Sequence, residues 1–207
     1  SQEQEFRRGY AHTMRWKGLR NYIKEELSVG DMIITISGIA GSGKSSVAKK
    51  LAQKLTYAHY SVGDLMRAMA KERGVSLLEL GKLAEKDKAI DLELDERQKA
   101  LGKKDDFVID SRLGFHFLKQ SFKVFLQVEL EVAADRILKE KRAHESYADL
   151  ADSVASIKKR IASEDKRYSS YYKIDYQDKT HYDLVVDTTD LTVAQVVGKI
   201  VDAVEKR

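Results

Sequence analysis

The sequence predicts an α/β fold of three layers, built on a five-stranded parallel sheet. From Met32 onward, short apolar runs alternate with helical patterns, as expected for parallel strands joined by crossover helices. The first apolar run leads into a glycine-rich turn and then into a helical pattern. Two longer helical stretches interrupt the alternation, and in open sheets such insertions lie beyond the carboxyl ends of the strands. We therefore expect a sheet with flanking helices and two inserted segments.

The elements can be placed in chain order. The predicted strands cover residues 32–36, 58–61, 107–110, 124–128 and 184–186. The helix after the first strand has apolar residues at helical spacing, namely Val47, Ala48, Leu51 and Leu55. A later helix is expected to end at Gly74. Capping-box spacing, Ser76 with Glu79 and Thr192 with Gln195, predicts two further helix starts.

Residues 1–30 are predicted to form an N-terminal helical extension to a domain that spans residues 31–207. Trp16, Leu19, Ile23 and Leu27 would line one face of a helix, and several basic residues surround them. Such a helix fits packing on the core or on a second subunit, and it also fits an arm for nucleic acid or a membrane surface. We expect a monomer or a homodimer formed through the extension, with no nucleic-acid or membrane partner.

The composition limits the class of protein. The chain has 207 residues, no cysteine and a net charge of +4, and 43% of its residues are hydrophobic. No run approaches the length of a membrane helix, so a cytoplasmic protein is expected. Without cysteines there are no disulfides or thiolate metal sites, and a metal must use oxygen or imidazole ligands.

A phosphate-binding motif follows the first strand. Gly38, Lys44 and Ser45 fit the pattern G-x-x-x-x-G-K-[ST], in the strand–turn–helix context that it requires. The alternative is a structural glycine turn. Backbone N–H groups would surround the phosphates, Lys44 would reach the β- and γ-phosphates, and Ser45 would bind Mg²⁺. The predicted nucleotide-binding residues are Gly38, Ile39, Ala40, Gly41, Ser42, Gly43, Lys44, Ser45 and Ser46.

Charged side chains follow the second and third strands. Arg67 lies about one helical turn beyond the glycine that follows the second strand, where a guanidinium can bind phosphate through two hydrogen bonds. The third strand ends at Asp110, and Arg112 follows. Asp110 would face the Mg²⁺ shell and Arg112 would point into the same crevice. A solvated Arg67 and a helix-capping Asp110 are the alternatives.

Further basic residues lie between the fourth and fifth strands. Arg136 follows the fourth strand, and Arg160, Glu164 and Arg167 recur at helical spacing, so the last three share one face. An ion-pair ladder on the surface would explain that face. Charge dispersed over a transferring phosphoryl group explains it better, because several fixed cations stabilise such charge.

These motifs, in this order and together with the segment YDLVVDT at residues 182–188, resemble the nucleoside monophosphate kinases, most of all the cytidylate kinases. The segment IDLELDERQ at residues 90–98 is similar to the compact archaeal-type members. The resemblance implies a P-loop kinase domain. Within it, residues 64–102 would form the acceptor-binding (NMP-binding) insertion and residues 139–180 the lid region.

The resemblance also implies roles for individual residues. Catalytic roles would fall to Lys44, Arg112, Arg136, Arg160 and Arg167, and Mg²⁺ would be bound by Ser45 and Asp110. The acceptor would contact Ser61, Gly63, Asp64, Arg67, Asp95, Gln98, Asp110, Arg112, Arg160, Glu164 and Arg167.

The reaction implied is transfer of phosphate from ATP to CMP or dCMP. Its partners would be ATP with Mg²⁺ and a nucleoside monophosphate. A kinase for AMP, UMP or a hydroxylated metabolite is the nearest alternative, and a hydroxyl acceptor would need Asp64 or Asp110 as its base. A regulatory P-loop protein and a nucleic-acid-binding module are the alternatives outside this class.

Overall fold

The computed structural model describes residues 32–140 and 147–207. The predicted N-terminal extension lies outside the described residues, and so do residues 141–146 of the predicted lid region.

The described residues form a five-stranded, fully parallel sheet in the order β2-β3-β1-β4-β5. The strands are β1 (Ile33–Gly38), β2 (Ala58–Ser61), β3 (Phe107–Asp110), β4 (Phe122–Gln127) and β5 (Leu184–Asp187). All five predicted strands are confirmed. Some strand ends differ from the prediction: β1 continues to Gly38 and β4 already begins at Phe122. Both differences follow from the pairing of β1 with β4, which runs from Phe122 to Gly38.

Eight α-helices surround the sheet in the described part of the chain. They are α1 (Lys44–Leu55), α2 (Val62–Glu72), α3 (Leu77–Ala84), α4 (Ala89–Leu101), α5 (Gly114–Phe117), α6 (Leu130–Lys139), α7 (Leu150–Tyr172) and α8 (Val193–Glu205). The capping boxes predicted at Ser76 and Thr192 are both present. The helix predicted to end at Gly74 is α2, and Gly74 has a positive φ of 64° just beyond it.

Apolar residues cover both faces of the sheet. On one face, Ile34 and Ile36 of β1 pack with α1 and α8 in the largest cluster of buried residues. On the other face, Phe125 of β4 packs with residues of α5 and α7, and Phe107 of β3 packs with Leu118. A sheet buried on both faces between helices gives the three layers that were predicted.

The two inserted segments contact each other above the carboxyl edge of the sheet. Helices α2, α3 and α4 lie between β2 and β3 and share their own apolar cluster, which includes Met69, Leu80 and Ile90. Helix α7 packs along α6 and reaches α3. The carboxyl edge of the sheet thus faces a space enclosed by α2, α3, α4 and α7.

None of the described helices is both long and apolar enough to cross a lipid bilayer.

Candidate nucleotide and phosphate-transfer site

A cleft with an empty volume of about 1160 Å³, part of it open to solvent, lies at this edge of the sheet. Its walls come from the glycine-rich loop, the segment after β3, the inserted helices α2, α3 and α4, and one face of α7. Parallel sheets place the carboxyl ends of neighbouring strands together, which explains how distant parts of the sequence meet here. Most of the predicted site residues contribute to these walls.

The glycine-rich loop crosses the end of β1 in the conformation that its glycines allow. Gly41 and Gly43 have φ of 78° and 82°, values that side chains with a Cβ rarely adopt. A Cβ at Gly41 would also lie 2.3 Å from the main-chain oxygen of Ala133 in α6, so the loop packs directly on that helix. At Gly43 nothing lies within 4 Å of such a Cβ.

The loop residues divide into two groups. Those that line the cleft are Ala40, Gly41, Gly43, Lys44, Ser45 and Ser46. Gly38, Ile39 and Ser42 were predicted to bind nucleotide too, but they do not line the cleft. Instead, the Ile39 carbonyl accepts a hydrogen bond of 3.1 Å from Lys44 Nζ, and the Ser42 carbonyl accepts one of 3.3 Å from Thr188. Their position makes them supports of the loop.

Charges of both signs surround the Lys44 side chain. Burial and the guanidinium of Arg112 lower the pKa of Lys44, whereas the carboxylates of Asp110 and Glu164 raise it in part. The pKa of Lys44 is lowered on balance, well below its ordinary 10.5. An anion bound beside the amine would stabilise its charged form, so the surroundings of Lys44 suit a phosphate group.

Asp110 is the centre of a hydrogen-bond network beneath the loop. Its side chain is 1% exposed. Oδ2 accepts hydrogen bonds from Ser45 at 2.7 Å and Ser61 at 2.8 Å, and Oδ1 contacts His59 Nε2 at 2.7 Å. Burial would raise the pKa of Asp110, but His59, Ser45, Lys44 and Ser61 together lower it. The carboxylate is therefore held ionised next to the loop.

His59 was missed by sequence reasoning. His59 and Ser61 are two residues apart on β2, so strand periodicity places them on one side, and β2 pairs with β3 so that Ser61 is opposite Asp110. That register could not be known from the sequence. Ser61 was predicted to contact substrate, but it does not line the cleft, since its hydroxyl is bonded to Asp110.

The donor set at this point suits Mg²⁺. Ser45 supplies a hydroxyl and Asp110 a carboxylate, which are hard oxygen ligands. In the part of the chain that the structure describes, no group of three or more His, Cys, Asp or Glu residues comes together as a metal cage. Mg²⁺ usually keeps several waters and uses only one or two protein ligands with substrate phosphates. The residues present therefore fit this ion.

Arg112 and Glu164 form a mostly buried ion pair on the wall of the cleft. Arg112 Nε donates to Glu164 Oε2 at 2.8 Å, and each side chain is 12% exposed. The hydroxyl of Tyr176, a residue with no exposed surface, donates to the same oxygen at 3.0 Å. Burial would raise the pKa of Glu164, but Arg112 and Arg160 lower it, and Glu164 in turn raises that of Arg112. Both groups are charged.

The other predicted arginines have different surroundings. Arg167 donates to Asp91 Oδ1 at 2.5 Å, and its side chain is 4% exposed. Arg67 lines the cleft and pairs with Asp64. Arg160 also lines the cleft, so the predicted face of α7 with Arg160, Glu164 and Arg167 does point to one space.

Two predicted residues lie elsewhere. Asp64 was predicted to contact substrate, but its side chain is 67% exposed, pairs with Arg67 and is not part of the cleft wall. Arg136 was predicted to be catalytic. Its guanidinium instead donates hydrogen bonds to Thr188 Oγ1 at 3.1 Å and to the carbonyls of Thr188 at 2.6 Å and Thr189 at 3.2 Å. Arg136 fixes the loop after β5, which in turn supports the glycine-rich loop.

Further basic residues follow Arg136 in the chain, namely Lys139, Lys141 and Arg142. Lys139 is exposed and pairs with Asp135 at 2.6 Å. Lys141 and Arg142 lie outside the described residues.

The side of the cleft formed by α4 carries polar residues that are almost fully buried. Asp91, Asp95 and Gln98 are 3–4% exposed and line the cleft together with Leu94. Burial raises the pKa of Asp91 and Asp95. Burying a carboxylate costs free energy unless it is paired or hydrogen-bonded, and buried carboxylates in a cleft are typical of a binding site.

The comparisons with known proteins agree with this geometry. Residues 33–190 match the family model described as the cytidylate kinase-like family. The chain belongs to that family. A cytidylate kinase of Haloarcula marismortui is 41% identical over 177 residues, which are 84% of this chain and 90% of that protein. One from Natronomonas pharaonis is 42% identical over 178 residues, covering 83% and 90% of the two chains.

Solved structures extend the likeness to the fold. A shikimate kinase from Bacteroides thetaiotaomicron has a TM-score of 0.61 at 14% identity, over 85% of this chain and 99% of that one. At this identity the likeness shows the fold alone, a P-loop kinase fold with a parallel sheet. The predicted membership of the cytidylate kinase-like family and the predicted fold are both confirmed.

Proposed function

We propose that this protein is a nucleoside monophosphate kinase that transfers the γ-phosphoryl group of ATP, with Mg²⁺, to CMP or dCMP. The observation that carries the proposal is the position of the Arg112–Glu164 pair and Arg160 in the same cleft as Lys44 and the glycine-rich loop. A triphosphate site alone needs no second set of cations. The names of the relatives support cytidine as the nucleoside of the acceptor.

In the proposed reaction, an oxygen of the acceptor phosphate forms a bond to the γ-phosphorus while the bond to the β–γ bridging oxygen breaks and ADP leaves. The acceptor oxygen is already anionic at neutral pH, so no general base is needed. Two polyanions repel each other, and Lys44, Arg112 and Arg160 offset that repulsion. Arg112 is held in place by Glu164, so its charge is oriented before the substrate binds.

Mg²⁺ would be held by Ser45 and Asp110 together with the phosphates of ATP. When bound, it neutralises phosphate charge and helps to orient the transferring group. The protein's own contribution at this position is to fix Asp110 through Ser61 and His59. The cleft must also exclude water, which would compete as acceptor, and the inserted helices are suited to cover it.

A kinase with a hydroxyl acceptor is less well supported by the geometry. Such an acceptor needs a base, and the two carboxylates considered for that role are Asp64 and Asp110. Asp64 is exposed outside the cleft. Both oxygens of Asp110 are bonded to Ser45, Ser61 and His59. Neither carboxylate is suitably placed to take a proton from a hydroxylated substrate.

The proposal is tested by measuring ADP release from ATP and Mg²⁺ with CMP, dCMP, UMP, AMP and GMP as acceptors and without an acceptor. We expect release that depends on the acceptor and is fastest with CMP or dCMP. Equal release with every monophosphate and without any would contradict a monophosphate kinase. Faster release with a different monophosphate would contradict the assignment of the base.

A further inference from the structure

The α4 side of the cleft carries two adjacent polar side chains of complementary hydrogen-bonding character. Asp95 and Gln98 are three residues apart on α4, so they are neighbours on one helix face. Each is 3% exposed, and both line the cleft. The surrounding structure fixes what each side chain offers to a ligand.

Asp95 is held as a hydrogen-bond acceptor. The hydroxyl of Tyr172, at the end of α7, donates to Asp95 Oδ2 at 2.5 Å. Among the described residues, the other oxygen, Oδ1, has no hydrogen bond. An ionised carboxylate accepts hydrogen bonds and donates none, so Oδ1 offers an acceptor.

Gln98 is held as a hydrogen-bond donor. The Ser111 hydroxyl accepts a hydrogen bond from the N–H of Leu113 at 3.3 Å and donates to Gln98 Oε1 at 2.5 Å. This fixes which end of the amide carries the NH₂ group. That group makes only a long contact of 3.4 Å to the Leu94 carbonyl, so a hydrogen-bond donor remains for a ligand.

This part of the cleft borders the phosphate-binding residues at one end, because Ser111, which bonds Gln98, lies between Asp110 and Arg112 in the chain. The charges that act most strongly on Lys44 are those of Arg112, Asp110, Glu164 and Arg160. The pKa of Asp95 is instead raised mainly by burial, and it is influenced further by the Tyr172 hydroxyl and by the charges of Asp91, Lys99 and Glu96. The nearby cleft wall includes the apolar Leu94 of the same helix. Its mixed character suits a neutral heterocycle better than a phosphate.

The order of acceptor and donor distinguishes the two pyrimidines. Cytosine presents an amino N–H donor beside a ring-nitrogen acceptor, whereas uracil presents a carbonyl acceptor beside an N–H donor. We propose that Asp95 accepts from the amino group of the acceptor base and Gln98 donates to its ring nitrogen, with Tyr172 and Ser111 as positioning residues. This inference rests on the proposed function, because it assigns the base that the acceptor monophosphate carries.

The test compares kcat/KM for CMP and UMP in the parent protein and in three variants. Asp95→Asn presents an amide that can turn either end to the base, so the preference for CMP should fall about tenfold or more. Tyr172→Phe removes one neutral hydrogen bond, so KM for CMP should rise about fivefold with kcat nearly unchanged. Tyr171→Phe is the matched control, since its hydroxyl bonds the carbonyls of Ala84 and Glu85 and not the cleft.

Because the preference is a ratio within one variant, it does not depend on the folded fraction. Where a variant is too slow to assay, the ratio of the dissociation constants of CMP and UMP, measured by calorimetry, replaces it. A ratio that Asp95→Asn leaves within about twofold, or that Tyr171→Phe changes as much as Tyr172→Phe, overturns the inference while the kinase function stands. A parent protein that phosphorylates no monophosphate overturns the proposed function itself.

Discussion

Replacing Arg112 by alanine should affect stability and activity through separate mechanisms. The substitution leaves Glu164, which is 12% exposed, without its guanidinium partner at 2.8 Å. Breaking a buried ion pair by removing one partner costs about 3–5 kcal/mol. Because Tyr176 still donates to the carboxylate, we expect the lower end, about 3 kcal/mol, as a loss in the free energy of unfolding measured with urea. Loss of a fixed cation should also reduce kcat/KM for the acceptor by about 10² or more.

A double variant separates the two effects. In Arg112→Met with Glu164→Gln, no charge is left unpaired, and neutral replacement of a buried pair is often harmless to stability. We therefore expect the double variant to recover most of the lost free energy of unfolding. Its kcat/KM for the acceptor should stay about 10² below that of the parent protein, because the cation is still absent.

An exposed ion pair of the same helix serves as the control. Lys166 pairs with Glu85 at 2.7 Å, and the Lys166 side chain is 71% exposed. Lys166→Met should change the free energy of unfolding by less than about 1 kcal/mol and leave kcat/KM unchanged. The reasoning is refuted if the double variant regains the activity of the parent protein. It is also refuted if Arg112→Ala is no less stable than Lys166→Met.

Three further predictions concern the loop and the carboxylates. Gly41→Ala places a Cβ 2.3 Å from the main chain of α6 and should lower stability by about 1–3 kcal/mol more than Gly43→Ala, which has a similar φ and open space; equal losses in urea unfolding would contradict this. Burial raises the pKa of Asp95 above 3.8, so folding favours its protonated form and the free energy of unfolding falls as the pH rises through this range. The Asp95→Asn variant should therefore unfold at a higher urea concentration than the parent protein at pH 7, and this difference should shrink as the pH approaches 3.8. Tyr176→Phe removes one donor to the Glu164 carboxylate and should lower the free energy of unfolding by about 1–2 kcal/mol, which a urea titration within error of the parent would disprove.

Local patterns in the sequence were sufficient to predict most of the fold. Four of the five strands are short, mainly apolar runs, and the capping boxes at Ser76 and Thr192 depend only on neighbouring residues. The phosphate-binding loop likewise depends on a contiguous motif. For the same reason, Lys44 and Ser45 could be placed in the cleft from the sequence.

The structure departs from the sequence-based expectations where a role depends on contacts between distant residues. Arg136 has the charge expected of a catalytic residue, but its partners are Thr188 and Thr189, more than fifty residues away in the chain. Asp64 is adjacent to site residues in sequence, yet its helix position directs it toward Arg67 and solvent. His59 carried no motif, and only the pairing of β2 with β3 brings it to Asp110. Sequence spacing could not reveal these partners.

Helix α7 connects the two halves of the proposed reaction. It carries Arg160 and Glu164 beside the phosphate-binding residues and Tyr172 beside Asp95, all within one 23-residue helix. At a rise of 1.5 Å per residue, Arg160 and Tyr172 are about 18 Å apart along the helix axis. A rigid helix cannot move one of these groups without moving the other, so a shift of α7 that improves contact with the base also changes the positions of the cations around the transferred phosphate. Under the proposed function, selection of the acceptor base and stabilisation of the transferring group would therefore be mechanically coupled.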